Sequence, residues 1–243
     1  MKQGFSLVEL SIVLVILGLL IGGVLTGQNL IKAAELRAIS EEYKNYQTAV
    51  NIFKDKYFGL PGDITNATLF WGKDNANCAA HTGTASVPGT CNGNADGLLG
   101  EHFRFWQQLA MAGLIEGNYS GTGNAGVDHV LGTNCPRSKM SNAGWGAIHR
   151  TFSAGLFTYP AVNTLQFGGQ TVTGTNYGTV LRPEEAWNID TKMDDGIAGS
   201  GKLISLYSSG TSCTTASGDT DYAAAYLLTT KTVTCALVFR SPF

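Results

Sequence analysis

Glu9 is the residue whose type and setting point most directly to a specialised role. It is the one charged residue in an apolar run that spans residues 5–25. A carboxylate inside a membrane segment costs about 2.5–3.5 kcal/mol on insertion scales, so such residues usually have a function. Two explanations stay open: the side chain reaches headgroup water at the helix end, or an opposite charge is supplied later.

Asn92, Asn94 and Asp96 could begin a calcium-binding loop, because their oxygens recur at alternate positions before a glycine. The twelfth position of that loop should carry an acid but is Phe103, and the nearest carboxylate, Glu101, comes two residues early. An ordinary Asn/Asp/Gly turn has the same composition and is the simpler explanation. Calcium is therefore kept as the alternative, and no other cofactor is predicted.

A second acidic group, formed by Asp190, Asp194 and Asp195, precedes a glycine-rich stretch. Carboxylate oxygens are calcium ligands, but Lys192 lies among them and would oppose a cation. Asp-Gly sequences are also common in turns, so we interpret this segment as a turn first.

Catalytic signatures are missing from the sequence. The GxGxxG pattern at residues 121–126 has no predicted strand before it and no predicted helix after it, so it does not indicate a dinucleotide site. The histidines are dispersed, without an HxxxH or HExxH pair. They are His81, His102, His129 and His149. We therefore predict that the protein is not an enzyme.

The five cysteines contain no CxxC pair, which argues against zinc-ribbon and thioredoxin-like sites. Disulfides form in extracytoplasmic compartments. Proximity in sequence predicts a Cys78–Cys91 bond and a Cys213–Cys235 bond, although five cysteines allow other pairings. Cys135 is the residue left over.

The apolar run at residues 5–25 is long enough to cross a bilayer, about 30 Å at 1.5 Å per residue. A secretory signal peptide would carry a small-residue cleavage site after its apolar stretch, and none follows here. We therefore interpret the run as a retained anchor. Charged residues make up only 14% of the chain and the net charge is −2, so no nucleic-acid partner is indicated.

Residues 2–9, with the sequence Lys-Gln-Gly-Phe-Ser-Leu-Val-Glu, resemble the processing signal of type IV pilins and type II secretion pseudopilins. The resemblance implies that a prepilin peptidase cuts between Gly4 and Phe5 and that the new Phe5 amine is methylated. It also implies that Glu9 pairs with that amine of a neighbouring subunit, which would offset the desolvation of the carboxylate. Many relatives have a proline at the position of Thr26, where this chain offers only glycines nearby to soften the helix.

The same resemblance implies the partners and the location. These are other pilin subunits, the prepilin peptidase, an assembly platform in the bacterial inner membrane and membrane lipid. The head would lie in the periplasm and the subunit would then enter a cell-surface pilus or a periplasmic pseudopilus.

The helix is predicted to continue past the membrane as an amphipathic half over residues 29–58, and Gly59, Pro61 and Gly62 are predicted to stop it. Its apolar and aromatic residues recur with alternating spacings of three and four, and they form what we call the stripe. The stripe consists of Leu36, Ile39, Tyr43, Tyr46, Val50, Phe53 and Tyr57. A coiled coil would show the same spacing. We prefer packing of the stripe on the head of the same subunit, with Glu41, Glu42 and Lys44 off that line.

Residues 59–243 are rich in Gly, Thr, Ser and Asn, which predicts a loop-rich, β-rich head. A helix is expected at residues 101–112 and strands at residues 155–159, 163–167, 170–173, 202–207 and 232–239. The predicted fold is α+β: a long N-terminal helix packed on an antiparallel sheet. Its parts are a leader (1–4), a membrane half-helix (5–28), the amphipathic half (29–58) and the head (59–243).

A structural filament subunit is the function that these features favour. Two alternatives stay open: a type II secretion pseudopilin, and a minor tip subunit whose long Gly/Asn-rich insertions serve adhesion or binding. A membrane-tethered enzyme would need a clustered catalytic site in the folded head.

Overall fold

The computed structural model describes residues 7–72, 101–123, 129–150, 157–170, 178–206 and 212–243. Within these residues the chain forms four helices and four strands, an α+β fold as predicted. The helices are α1 (Leu7–Tyr57), α2 (Ala67–Trp71), α3 (Glu101–Met111) and α4 (Pro183–Met193). The strands are β1 (Ala143–Arg150), β2 (Val162–Gly169), β3 (Leu203–Ser205) and β4 (Leu237–Arg240).

The strands form one antiparallel sheet in the order β1-β2-β4-β3. Alternate side chains therefore point to opposite faces. One face carries Trp145, Leu165, Phe167 and Phe239, which belong to the main core together with the end of α1 and with α3. The other face carries Val238 and a smaller core cluster. Both faces are covered, and the second face also buries the polar side chains of Thr164 and Gln166.

The connector after α1 is fixed by a close approach to α3. Gly62 has a φ of +87°, and a Cβ on it would lie 2.5 Å from the Glu101 carbonyl oxygen. Its N–H donates to the Gln108 side chain over 2.6 Å. Only glycine combines this φ with this approach, so the predicted Pro-Gly stop of the long helix also docks α3 beside it.

Three predicted elements agree with the structure and others need correction. The helix predicted at residues 101–112 is α3, and the strands predicted at residues 163–167 and 202–207 correspond to β2 and β3. Residues 157–159 are not a strand, because the Thr158 N–H bonds to the Asp219 carbonyl oxygen in a loop. Residues 171–173 lie outside the described residues.

The last strand is shorter than predicted. β4 begins at Leu237, whereas residues 232–239 were expected to form a strand. The reason is local: the carbonyl of Cys235 accepts bonds from the N–H groups of Val180 and Leu181, just before α4. Cys235 therefore pairs with the segment that precedes α4 instead of with a strand of the sheet.

Candidate assembly site on the long helix

α1 is one unbroken helix of 51 residues, about 76 Å long at 1.5 Å per residue. It stays helical through Gly22, Gly23 and Gly27, where relatives with a proline suggested that it could soften. Thr26 adds a hydrogen bond from its hydroxyl to the Gly22 carbonyl oxygen over 3.0 Å. Because α1 is unbroken, the orientation of its second half also sets the orientation of its first half.

The first half of α1 is apolar in every direction, and the described part of the chain does not cover it. Its large side chains between Leu7 and Ile31 are exposed, with Leu7 86% and Ile31 64% accessible. The most apolar 18-residue window of the helix has none of its residues buried, and its length and composition suffice to cross a membrane. This is the surface of α1 that needs lipid or other subunits to cover it.

Glu9 lies in the first turn of α1, on this apolar half. The helix dipole favours a carboxylate at that end. Gly4 and Phe5, the predicted processing residues, lie outside the described residues. Their cleavage and methylation, and the pairing of Glu9 with the Phe5 amine, stay predictions.

The second half of α1 packs on the head through the stripe, as predicted. Ile39, Val50 and Phe53 are fully buried, and the other four stripe residues are partly buried against the same core. Tyr43 stacks on Phe239 with ring centroids 4.3 Å apart. Burial raises the pKa of the Tyr43 and Tyr46 hydroxyls above the ordinary value, so both stay neutral. The stripe is thus an intrasubunit seam and not an exposed coiled-coil surface.

Glu42 departs from the expectation that the charged residues beside the stripe lie off the seam. Its side chain is only 8% accessible, and both carboxylate oxygens are used by the head. The Lys139 N–H donates to one oxygen and the Trp145 indole N–H to the other, each over 2.7 Å. Glu41 and Lys44 are exposed, as expected. A carboxylate with two specific donors can be buried where an unpaired one could not.

Two further polar contacts join α1 to the head. The Gln47 side-chain amide donates to the Pro242 carbonyl oxygen over 2.6 Å. Lys32, the first charged residue after the apolar half, lies 3.3 Å from the Glu185 carboxylate on α4. The polar contacts therefore begin where the apolar half ends.

Asp190, Asp194 and Asp195 come together beside the end of α4, with ligand oxygens within 4.8 Å of one another. Such a group could hold a cation. The chain itself supplies hydrogen bonds to it, however. Gly196 N–H and the Tyr226 hydroxyl donate to Asp190, the Lys202 and Leu203 N–H groups to Asp194, and the Ile197 N–H and Ser200 hydroxyl to Asp195. The group organises the loop that leads into β3.

Asp190 is the buried member of this group. Burial raises the pKa of its carboxyl to about 7, against the opposing effect of the bonds from Tyr226 and Gly196, and the nearby Asp195 and Asp194 charges add to the rise. Asp190 therefore titrates near neutrality.

The disulfide between Cys213 and Cys235 is present, with the two Cα atoms 5.2 Å apart. It ties the segment before β4 to a loop 22 residues earlier. Cys135 is buried in the main core. Cys78 and Cys91 lie outside the described residues, so their predicted bond is untested.

The other candidate residues do not assemble into a catalytic site within the described part of the chain. Asn92, Asn94 and Asp96 lie outside the described residues, while Glu101 and Phe103 are buried in α3. His102 and His129 are buried with ring centroids 5.2 Å apart, and burial lowers the pKa of His129 to about 4. A neutral imidazole in an apolar setting serves packing better than proton transfer at neutral pH.

Sequence reasoning missed α4, β1 and the role of Glu42. The Pro-Glu-Glu start of α4, with Pro183 at its first position and an Arg182 N–H bond to Glu185, is a recognisable helix signal. β1 contains glycines at alternate positions, which weaken any strand pattern. Nothing local marks Glu42, because its donors lie about 100 residues away.

Comparison with known protein families identifies the start of the chain. Residues 1–25 match the model of the prokaryotic N-terminal methylation motif, which is the prepilin signal of type IV pilins and pseudopilins. No curated protein and no solved structure matched the chain. The match covers 25 of the 243 residues, so it describes the N-terminal segment and not the head.

Proposed function

We propose, from the prepilin signal at its start, that this chain is a structural subunit of a type IV pilus or a related filament. A prepilin peptidase would remove residues 1–4, and the subunit would polymerise through residues 5–28 of its long helix. Residues 29–58 would then carry the head, residues 59–243. The observation that supports this most is an apolar half-helix that the described residues of the head leave exposed.

The physical basis is a change of surroundings for one surface. Before assembly, lipid covers the apolar half of α1, and the subunit is anchored in the inner membrane with its head in the periplasm. On assembly, the same surface packs against the apolar halves of other subunits. Transfer from lipid to neighbouring helices gains little from hydrophobicity, so close packing and polar pairs must favour association.

Glu9 would provide the polar pair. Cleavage after Gly4 creates an amine at Phe5, and a carboxylate among apolar helices gains most from an opposite charge in low dielectric. The pair is available only between subunits whose leader has been removed. Removal of the leader would therefore be required before the subunit could assemble.

The cleavage test is the mass of the membrane-extracted chain from cells with an active prepilin peptidase. An N-terminal Phe5, carrying an added methyl group, is expected. Chains that still begin at Met1 in such cells would refute the proposal.

The assembly test compares Glu9→Ala with Glu41→Ala, which removes an exposed carboxylate from the other half of the same helix. Glu9→Ala should insert normally, since it removes a charge from lipid, but should lose filaments in a shearing assay. Glu41→Ala should assemble as the wild type does. Normal filaments from Glu9→Ala would exclude the pairing role.

A further inference from the structure

We infer that Glu42 is a positioning residue that sets the rotation of α1 against the head, and thereby the direction in which Glu9 faces. This inference rests on the proposed filament function for its consequence, but its structural part concerns the single subunit. Burial of the apolar stripe favours the contact between α1 and the head. Glu42 selects the rotation of α1 about its own axis at which this contact forms.

Burial of the stripe alone does not select one rotation of α1 about its axis. Apolar burial is non-directional, and Ala38 and Ala49 are buried beside the stripe, so a turned helix would still find apolar cover. Hydrogen bonds with fixed donors are directional. Glu42 offers two oxygens, and the head meets each with one donor at 2.7 Å.

One of the two donors, the indole of Trp145, belongs to the sheet core of the head. Trp145 lies in β1, is fully buried and contacts Phe167 and Phe239 in the sheet core. Tyr46, one turn after Glu42, meets the same indole edge-on at 5.6 Å. One side chain of the sheet thus receives both the carboxylate and the aromatic ring of α1. A rotation by one residue would remove both contacts together.

Burying a carboxylate is a weak way to gain stability, because desolvation opposes the attraction of its partners. The best-attested use of such groups is to select one register among several apolar alternatives. Glu42 fits that use, because it is the one buried acid in the described part of α1 and lies beside a mostly apolar stripe.

Because α1 is unbroken, the rotation that Glu42 selects also applies to the membrane end of the helix. Glu9 precedes Glu42 by 33 residues, which in a regular helix is about 50 Å along the axis and about 60° around it. If Glu42 fixes the helix rotation, the angle between the head and Glu9 is fixed as well. In a filament, that angle would decide where each head lies when Glu9 meets its neighbour.

The test measures rotation in the detergent-solubilised full chain, without needing a filament. Spin labels are attached through keto amino acids at Val13 on α1 and Thr229 on the head, both exposed, so that the native cysteines stay intact. A side chain about 5.5 Å from the helix axis moves about 8 Å when the helix turns by one residue. The expected result for Glu42→Ala is a shifted or at least twofold broader distance distribution.

Val50→Ala is the matched control, because it removes a buried stripe residue without removing a directional contact. It should lower the melting temperature but keep the wild-type distance. Trp145→Phe, which keeps a ring and removes the indole N–H, gives a second test if Glu42→Ala does not fold, and should broaden the distribution. A wild-type distance in folded Glu42→Ala or Trp145→Phe would overturn the inference.

Filaments provide the second readout. Those of Glu42→Ala should differ from the wild type in helical twist or be heterogeneous in it, whereas those of Val50→Ala should keep the wild-type twist. Identical twist in Glu42→Ala filaments would refute the consequence for assembly. Absence of filaments from the wild-type chain would count against the proposed function and leave the distance measurement to decide on Glu42.

Discussion

The two halves of α1 share one continuous backbone but have opposite relations to the rest of the molecule. In the first half, apolar residues occupy every direction and all are exposed. In the second half, the stripe packs on the core of the head, and most of the other positions are polar or charged. Helix geometry is the same in both, so the pattern of side chains alone decides what surrounds each half.

This difference teaches which interactions stabilise the subunit and which are left for association. A fully buried stripe residue contributes roughly 1.5–3 kcal/mol to folding of the head. The most apolar window of the first half has no residue buried against the described part of the head, so no contribution of this kind is seen there. Substitutions should therefore separate into those that unfold the head and those that do not, according to the half in which they lie.

The largest expected difference is between Phe53→Ala and Ile16→Ala. Phe53 is 0% accessible and contacts Tyr57 and Trp71, so its truncation should lower the free energy of unfolding by about 3–5 kcal/mol. Ile16 is exposed on the first half, so its truncation should leave the melting temperature of the head unchanged. Thermal unfolding of both variants in the same detergent, followed by near-ultraviolet circular dichroism, tests this. Equal shifts would mean that the two halves are not distinct.

Loss of the disulfide should be the next largest effect and should again be confined to the head. Replacing both Cys213 and Cys235 by Ser removes the cross-link and should lower stability by about 2–4 kcal/mol. Membrane insertion, measured by carbonate extraction, should not change, since α1 does not contain either residue. A melting temperature equal to that of the wild type would show that the bond does not constrain the head.

A smaller effect is expected from Asp190, and it should depend on pH. Its carboxyl has a pKa of 3.8 in the absence of burial and about 7 in the folded head. The folded state therefore binds the proton more tightly, so this residue favours folding below pH 4 and loses that contribution as pH rises through 7. We expect the free energy of unfolding to decrease as the pH rises from 4 to 8.

Asp190→Asn tests the assignment, because an amide of the same shape cannot ionise. Its stability should vary less with pH than that of the wild type, when both are unfolded in buffers with a chelator that removes adventitious cations. Asp190 lies in the head and not in α1, so membrane insertion should not follow the same pH profile. A wild-type pH dependence in Asp190→Asn would assign the titration to another residue.

The parts of the fold that depend on the local periodicity of apolar residues could be predicted from the sequence. The apolar run, the stripe and the Pro-Gly stop each need only a short window, and α1 follows from them. α3 is also local, since Phe103, Trp106 and Leu109 recur at helical spacing and all are buried. The methylation motif is local in the same sense, and it indicates the function more directly than the head does.

The remaining features depend on partners far apart in the chain. β1 has a weak strand signal of its own and is held by its pairing with β2. Glu42 and Asp190 are polar residues whose burial depends on donors brought by other elements. From sequence, both have the appearance of surface charges. Pairing and burial of this kind are decided by the tertiary fold, which no short window contains.

The smallest expected effect lies at the boundary between the two halves. Lys32 is the first charged residue after the apolar half, and its ammonium lies 3.3 Å from Glu185 on α4 and 3.8 Å from Glu35. Lys32→Met keeps the side-chain stem and removes the charge. Because the lysine is partly exposed, the pair should contribute only about 0.2–1 kcal/mol, a shift of roughly 1–4 °C for a protein of this size.

Two controls make so small a shift informative. Arg37→Met removes a cation whose nearest carboxylate, Glu41, is on α1 itself at 3.9 Å with both side chains largely exposed, so it should not change the melting temperature measurably. Raising the salt concentration to about 1 M shortens the screening length to about 3 Å and should remove most of the Lys32→Met effect. A salt-independent shift would show that the stabilisation comes from packing of the lysine stem at the boundary and not from the lysine charge. Equal shifts from both variants would show that the contact with α4 has no special weight, and that the head is held to α1 by the stripe and its buried partners alone.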